Sequence, residues 1–296
     1  MSVVELAEQK VILPNNEPAP NVFLMGPIGS GKSYAIRSLV NAGIEVFLIP
    51  TEPGYTDVLG DIPPEKLHWH YIRSYGPPPD QGQQTSKTLD ALKGAAKLIQ
   101  SHDMETIKKM PGQGRAKYNQ FFELIECLNN YKDDRTGKEY GDTGNFNQNQ
   151  AVVIDGLSGI NNMVCRMTVG DKPCMSWPEF EAAQFCVEQF VNTLAQSLKC
   201  WFVMTSHVEF EPDPSGSGLN KLMPSTIGKV LAPRLTKFFS EAILCKRVIE
   251  NGKSRFYWDN MDPTATVKFR NIPQSPTNPP DFAPIKKNWE GKVSFN

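Results

Sequence analysis

The chain has 296 residues, and its 31 Lys and Arg nearly balance its 32 Asp and Glu. That balance excludes a whole-molecule field that draws in nucleic acid, so any such site must be a local patch. Hydrophobic residues make up 40% and charged residues 21%, as in a soluble globular protein, and no apolar run reaches the roughly 18 residues of a membrane span. The start, Met1-Ser2-Val3-Val4-Glu5, lacks the basic and apolar regions of a signal peptide, so the expected location is the cytoplasm. Cys127, Cys165, Cys174, Cys186, Cys200 and Cys245 form no C-x-x-C pair and read as reduced residues.

In chain order, residues 1–20 are polar and end in Pro18-Ala19-Pro20, an arm leading into the first strand. Val22-Phe23-Leu24-Met25 reads as that strand, and a helical pattern over 33–42 closes on Gly43. A second strand is expected over 45–50 and a third over 69–72. After the proline loop 76–79, Leu89, Leu92, Ala96 and Ile99 recur at helical spacing and predict a helix over 85–100. Residues 102–116 read as loop. Residues 118–131 read as a helix with Phe121, Phe122, Ile125 and Leu128 on one face. The Gly- and Asn-rich stretch 132–149 reads as an exposed excursion. A strand over 151–154 is followed by a loop to Ser176. There Ser176-Trp177-Pro178-Glu179 forms a capping box with proline in the first turn, opening a helix to about 198. A strand over 201–204, a polar loop and a helix over 232–239 come next. Strands are expected over 242–248, 255–258 and 266–269, the first two joined by Asn251-Gly252. Pro273, Pro276, Pro279, Pro280 and Pro284 mark an extended tail. The pattern predicts an α/β fold, a mainly parallel sheet flanked by helices with late antiparallel strands. Ligands in such sheets bind beyond the carboxyl ends of the strands.

One stretch at such an end carries chemistry. Gly26-Pro27-Ile28-Gly29-Ser30-Gly31-Lys32-Ser33 fits the phosphate-cradling spacing G-x-x-x-x-G-K-[ST], between a strand and a helix that continues through Tyr34. Glycines let several backbone N–H groups face one anion, and the helix start adds positive dipole. From such a loop Lys32 is expected to reach the β- and γ-phosphates of ATP, and the Ser33 hydroxyl to ligate Mg²⁺. Ala151-Val152-Val153-Ile154-Asp155 ends an apolar strand in a carboxylate suited to the same Mg²⁺. Glu52 follows the second strand, where a carboxylate is expected to face the same crevice and could polarise an attacking water as a general base. Tyr55 is a candidate for stacking on the base.

The order of these motifs resembles the RecA-like P-loop ATPase core. The resemblance runs from about residue 20 to 271, giving an arm over 1–20, a core over 21–271 and a basic-aromatic tail over 272–296. It implies that Glu52 is the catalytic carboxylate. It also implies that His207, in Thr205-Ser206-His207-Val208, senses the γ-phosphate where the family's namesake carries glutamine. With Gly228-Lys229, these residues look like the short phage-encoded RecA-type ATPases of single-strand annealing and recombination. The resemblance further implies a single-stranded DNA partner, phage recombination or replication proteins nearby, and a homo-oligomer. In that oligomer Lys229, Arg234 or Lys237 would serve a neighbouring site as a basic finger.

Two loops match the DNA-facing loops of that family by position. One spans 156–175, with Asn161, Asn162, Arg166 and Lys172. The other spans 209–227, with Lys221 but also Glu209, Glu211 and Asp213. Lys286, Lys287, Lys292 and Trp289 of the tail offer a second nucleic-acid patch. A helicase-loading or packaging motor, a small-molecule kinase and a non-hydrolysing nucleotide-gated protein are the rival readings. The segment 102–138 carries only Arg115 and Arg135, few for the lid of a kinase.

Overall fold

A computed structural model describes residues 17–74, 84–212 and 220–293. Most of the expected arm, the proline loop 76–79 and the middle of the polar loop, with Asp213, lie outside the described residues. The first unit is strand β1 (Asn21–Met25), helices α1 (Lys32–Ala35) and α2 (Arg37–Asn41), strand β2 (Glu45–Pro50), helix α3 (Tyr55–Leu59) and strand β3 (Leu67–Trp69). Next come helices α4 (Gln84–Ser101), α5 (Met104–Lys109) and α6 (Gln120–Asn129), then the short strands β4 (Tyr131–Lys132) and β5 (Glu139–Gly141). Strand β6 (Gln150–Asp155), helices α7 (Leu157–Val169) and α8 (Trp177–Ser197) and strand β7 (Trp201–Ser206) follow. The chain closes with β8 (Val208–Pro212), β9 (Asn220–Pro224), α9 (Ala232–Leu235), β10 (Glu241–Glu250), β11 (Lys253–Asp259) and α10 (Ala283–Val293).

A seven-stranded sheet in the order β11-β10-β1-β7-β6-β2-β3 organises the molecule. All its pairs are parallel except β10 with β11. Side-chain alternation sorts each strand between two cores. Phe23, Met25, Phe47, Ile49, Val152, Ile154, Phe202 and Met204 pack beneath α6, α7 and α8. Val22, Leu24, Val46, Leu48, Val153, Trp201 and Val203 pack against Ile36, Leu39 and Leu59 on the opposite face. Among the described residues, no helix is long and apolar enough to cross a membrane.

Several expectations change. The helix expected over 33–42 tightens at Ile36, whose N–H bonds Ser33 O rather than continuing the regular ladder. The third strand forms two residues early, because Val46 to Leu48 pair with Leu67 to Trp69. The helix over 84–101 forms, but Leu89, Leu92 and Ile99 stay exposed. The expected loop 102–116 contains α5, capped by Asp103 on Thr106 N–H. In α6, Leu124 and Cys127 join Phe121 and Leu128 inside, and Phe122 and Ile125 stay outside. The stretch 132–149 is a hairpin, with Tyr131, Tyr140 and Phe146 clustered round Phe47. Residues 266–269 make only a bridge, Ala242 with Lys268.

The proline-rich end is the largest departure. It is no free tail, because Phe282 and Ile285 are fully buried against Trp201 and Trp258. Trp289 stands edge-on to Trp201, Lys286 donates to Ala42 O at 2.9 Å, and Lys292 Nζ donates to Asn271 Oδ1 at 3.1 Å. Prolines ended the regular pattern in the sequence, while scattered apolar residues after them still found core. Ile285→Val is therefore expected to cost about 0.5–1.5 kcal/mol, read as a lowered thermal midpoint. A free tail would leave the midpoint unchanged.

Candidate functional site

Sheet register assembles the site. Leu24 pairs with Thr205, Thr205 with Asp155, and Asp155 with Pro50, so the carboxyl ends of β1, β7, β6 and β2 form one row. The residues just past that row meet in a cleft of about 520 Å³. It is lined by Ile28, Gly29, Ser30, Gly31, Lys32, Ser33 and Tyr34 from the glycine-rich loop, and by Glu52, Tyr55, Asp155 and His207. Gly26 and Pro27 do not line it, but their carbonyls accept from Lys32 Nζ at 2.8 and 2.9 Å.

The loop cannot be built with ordinary side chains. Gly31 has φ +86°, and a Cβ there would stand 2.7 Å from the Phe256 ring. A Cβ on Gly26 would stand 2.5 Å from Cys245 O. Both positions need glycine, one for its backbone angle and both for space.

The charged groups interlock. Thr205 Oγ1 donates to Asp155 Oδ1 at 2.6 Å, and Ser33 also hydrogen-bonds this carboxylate. Burial raises the Asp155 carboxyl above its ordinary range, against those two hydrogen bonds. Burial likewise lowers Lys32, opposed by neighbouring negative charges including Asp155 and Glu52. His207 Nε2 lies 3.5 Å from Glu52 Oε2. This partner is the main cause that holds Glu52 below its ordinary range, with Lys32 adding to it. Thr51 fixes the approach to Glu52, since its buried hydroxyl donates to Gly156 O at 2.7 Å.

These residues fit a phosphate ester and a hard cation. Ser30 Oγ is buried in the loop with no hydrogen-bond partner among the described residues, and Lys32 brings a cation beside it. Ser33 and Asp155 supply adjacent oxygen donors of the kind Mg²⁺ takes. The site thus offers an anion cradle, a pair of metal donors and a carboxylate oriented by histidine.

The structure corrects other site expectations. Residues 156–175 are mostly helix α7, not a loop. Asn161 donates to Ser225 O, Arg166 to Gly170 O, and buried Lys172 binds Lys108 O, Met110 O and Glu179. The polar loop after His207 is the hairpin β8–β9. Lys229 pairs with Glu211, and Arg234 and Lys237 both pair with Glu188, so each proposed finger has a partner within the chain. Tyr55 lines the cleft but packs on Trp69 and Tyr71. Phe256 and Thr205 also belong to the site. Thr205 lies on the same strand end as His207, two residues before it, whereas nothing local in the sequence ties Phe256 to the loop. No protein-family model matches the chain, and no curated protein matches it.

Proposed function

We propose that the chain is a Mg²⁺-dependent ATPase of RecA type that acts on single-stranded DNA in phage recombination, annealing or replication. One observation carries the ATPase reading. The sheet row brings Lys32, Ser33, Asp155, Glu52 and His207 to a single cleft. In this reading Lys32 and the loop amides bind the β- and γ-phosphates. A bound Mg²⁺, held by Ser33 and Asp155, would neutralise phosphate charge. Glu52 orients a water whose oxygen bonds to the γ-phosphorus. The bond to the β–γ bridging oxygen breaks, its electron pair stays on ADP, and the water's proton passes through Glu52 to solvent. His207 holds the Glu52 carboxylate and starts the hairpin. Its carbonyl accepts from Ser225 N at 2.8 Å, and Ser225 O accepts from Asn161 of α7. This is a short route from phosphate state to hairpin, and it supports coupling to a polymer at that end.

The test is ATP turnover with Mg²⁺, with and without single-stranded DNA. Turnover that needs Mg²⁺ and rises with DNA is expected. No turnover in either condition sinks the ATPase reading. A motor or loader shares the nucleotide site, and exposed Glu209 on the hairpin favours a basic protein partner for it. Turnover indifferent to DNA selects that alternative.

Glu52 also fixes a pH dependence. Its base form is ionised, and His207 is the main group keeping it ionised at low pH. His207→Ala raises the Glu52 value, so the acid limb of the kcat–pH profile should move to higher pH. A fixed limb would remove His207 from this role.

A further inference from the structure

The hairpin β10–β11 outruns its neighbour. Pairing with β1 ends at Met25 with Leu244, while β10 continues to Glu250 paired only with β11. The overhang forms a wall beside the glycine-rich loop. Cys245 and Arg247 share one face of β10 by alternation, and they sit opposite Trp258 and Phe256 of β11. The loop runs along that face. A Cβ on Gly26 would meet Cys245, one on Gly31 would meet Phe256, and one on Gly29 would stand 3.6 Å from Arg247 Nη1. The Phe256 ring also stacks on Tyr34, with centroids 6.5 Å apart.

Arg247 has no carboxylate or carbonyl partner among the described residues. Lys229, Arg234 and Lys237, by contrast, are each paired with Glu211 or Glu188. Arg247 is exposed at the edge of the cleft rather than in its lining, and an unpaired guanidinium beside an anion cradle supplies donors where charge would otherwise be uncompensated. Phe256, directly across the ladder, packs on Gly31 and sets the spacing between hairpin and loop.

We propose that Arg247 is a catalytic residue acting in cis, its guanidinium binding the terminal phosphate of a nucleoside triphosphate held by the loop of the same chain. This rests on the nucleotide reading above. It places the stabilising cation within the chain and removes the need for a neighbour's finger. Arg247 forms no covalent bond; its donors face the γ-phosphate oxygens while the bond to the bridging oxygen breaks.

The experiment compares Arg247→Ala, Arg247→Lys, Lys32→Ala and the unaltered full chain, with ATP, ADP and a non-hydrolysable triphosphate analogue as probes. Arg247→Ala is expected to lower kcat by about 10²–10³-fold. It should weaken the triphosphate analogue by about tenfold or more, leave ADP binding unchanged and leave the melting temperature unchanged. Arg247→Lys should recover part of the loss. A mixture of Arg247→Ala with Lys32→Ala chains should show no recovery, because each chain needs its own arginine. Recovery in the mixture would overturn the cis assignment. Normal turnover in Arg247→Ala, with Lys32→Ala inactive, would overturn the role of Arg247 and leave the ATPase reading standing. Turnover retained in Lys32→Ala would overturn both.

Discussion

Glu52→Gln is expected to cut ATP turnover by about 10²–10⁴-fold while leaving nucleotide affinity near that of the unaltered chain. The amide keeps the shape of the side chain and can still meet His207, 3.5 Å away in the native chain. What it loses is the negative charge that the proposed mechanism uses to polarise water. In the proposed reading the phosphate contacts come from Lys32 and the loop, which this change leaves in place, so affinity should survive. Lys32→Ala should do the opposite. It removes a buried ammonium that shares its proton donors between Gly26 O and Pro27 O, and both binding and turnover should fall together. Measuring fluorescent-nucleotide affinity and single-turnover rate for the two variants separates the roles. Equal loss of affinity in both would mean that Glu52 belongs to binding. Unchanged turnover in Glu52→Gln would show that another group activates water.

Asp155→Asn should abolish Mg²⁺-dependent turnover and yet make the nucleotide-free chain more stable at neutral pH. Asp155 has its carboxyl raised by burial, so in the folded chain the charged form is disfavoured. The sign follows from linkage. A raised folded value gives stability that is present below the unfolded value and lost as pH rises through the folded one. At neutral pH the ionised carboxylate is therefore a cost. Asparagine carries no charge and keeps an oxygen for Thr205 Oγ1, which donates to Asp155 Oδ1 at 2.6 Å. Each kcal/mol relieved should raise the melting temperature by about 1–2 °C at this size. The advantage should shrink as pH falls below the ordinary carboxylate range, where the native residue is protonated in both states. Mg²⁺ with nucleotide should stabilise the native chain by mass action and the variant far less. Calorimetry across pH, with and without Mg²⁺-nucleotide, measures all of this. A variant that melts lower at neutral pH would show that the Asp155 charge supports the fold, and equal stabilisation of both chains by Mg²⁺-nucleotide would count against a metal-holding role.

These sites trade stability for chemistry in a consistent way. Lys32 and the orphaned Ser30 hydroxyl sit buried, and Asp155 half-buried, beside one cleft. Each is costly alone, and in the proposed reading a bound polyanion and cation would offset that cost.

Much of this was legible in the chain. The strands that carry the site are apolar runs of four to six residues, bounded by Gly26, Glu52, Asp155 and His207, and they fall as expected. Buried parallel strands leave little freedom in composition, so their ends can be read directly. The capping box at Ser176 and Glu179 and the left-handed Asn251-Gly252 turn were equally local and equally readable. Segments whose role depends on distant partners were not. Leu157 to Val169 lacked a capping signal, and Gly156 with φ +119° turns the chain into a helix held by α8 and the sheet. The proline-rich end offered no period, because Phe282 and Ile285 reach core one at a time between turns.

The sequence by itself determined the glycine-rich loop, its lysine and the carboxylates at two strand ends. These depend on backbone angle, spacing and side-chain type, which are properties of neighbours in the chain. Only the tertiary structure decided which distant residues meet them. Strand β7 lies between β1 and β6, so Thr205 reaches Asp155, and the overhang of β10–β11 sets Arg247 against Gly29 and Phe256 against Gly31. Pairing order and register govern those contacts. They are fixed by burial summed over the whole sheet, which no single segment encodes.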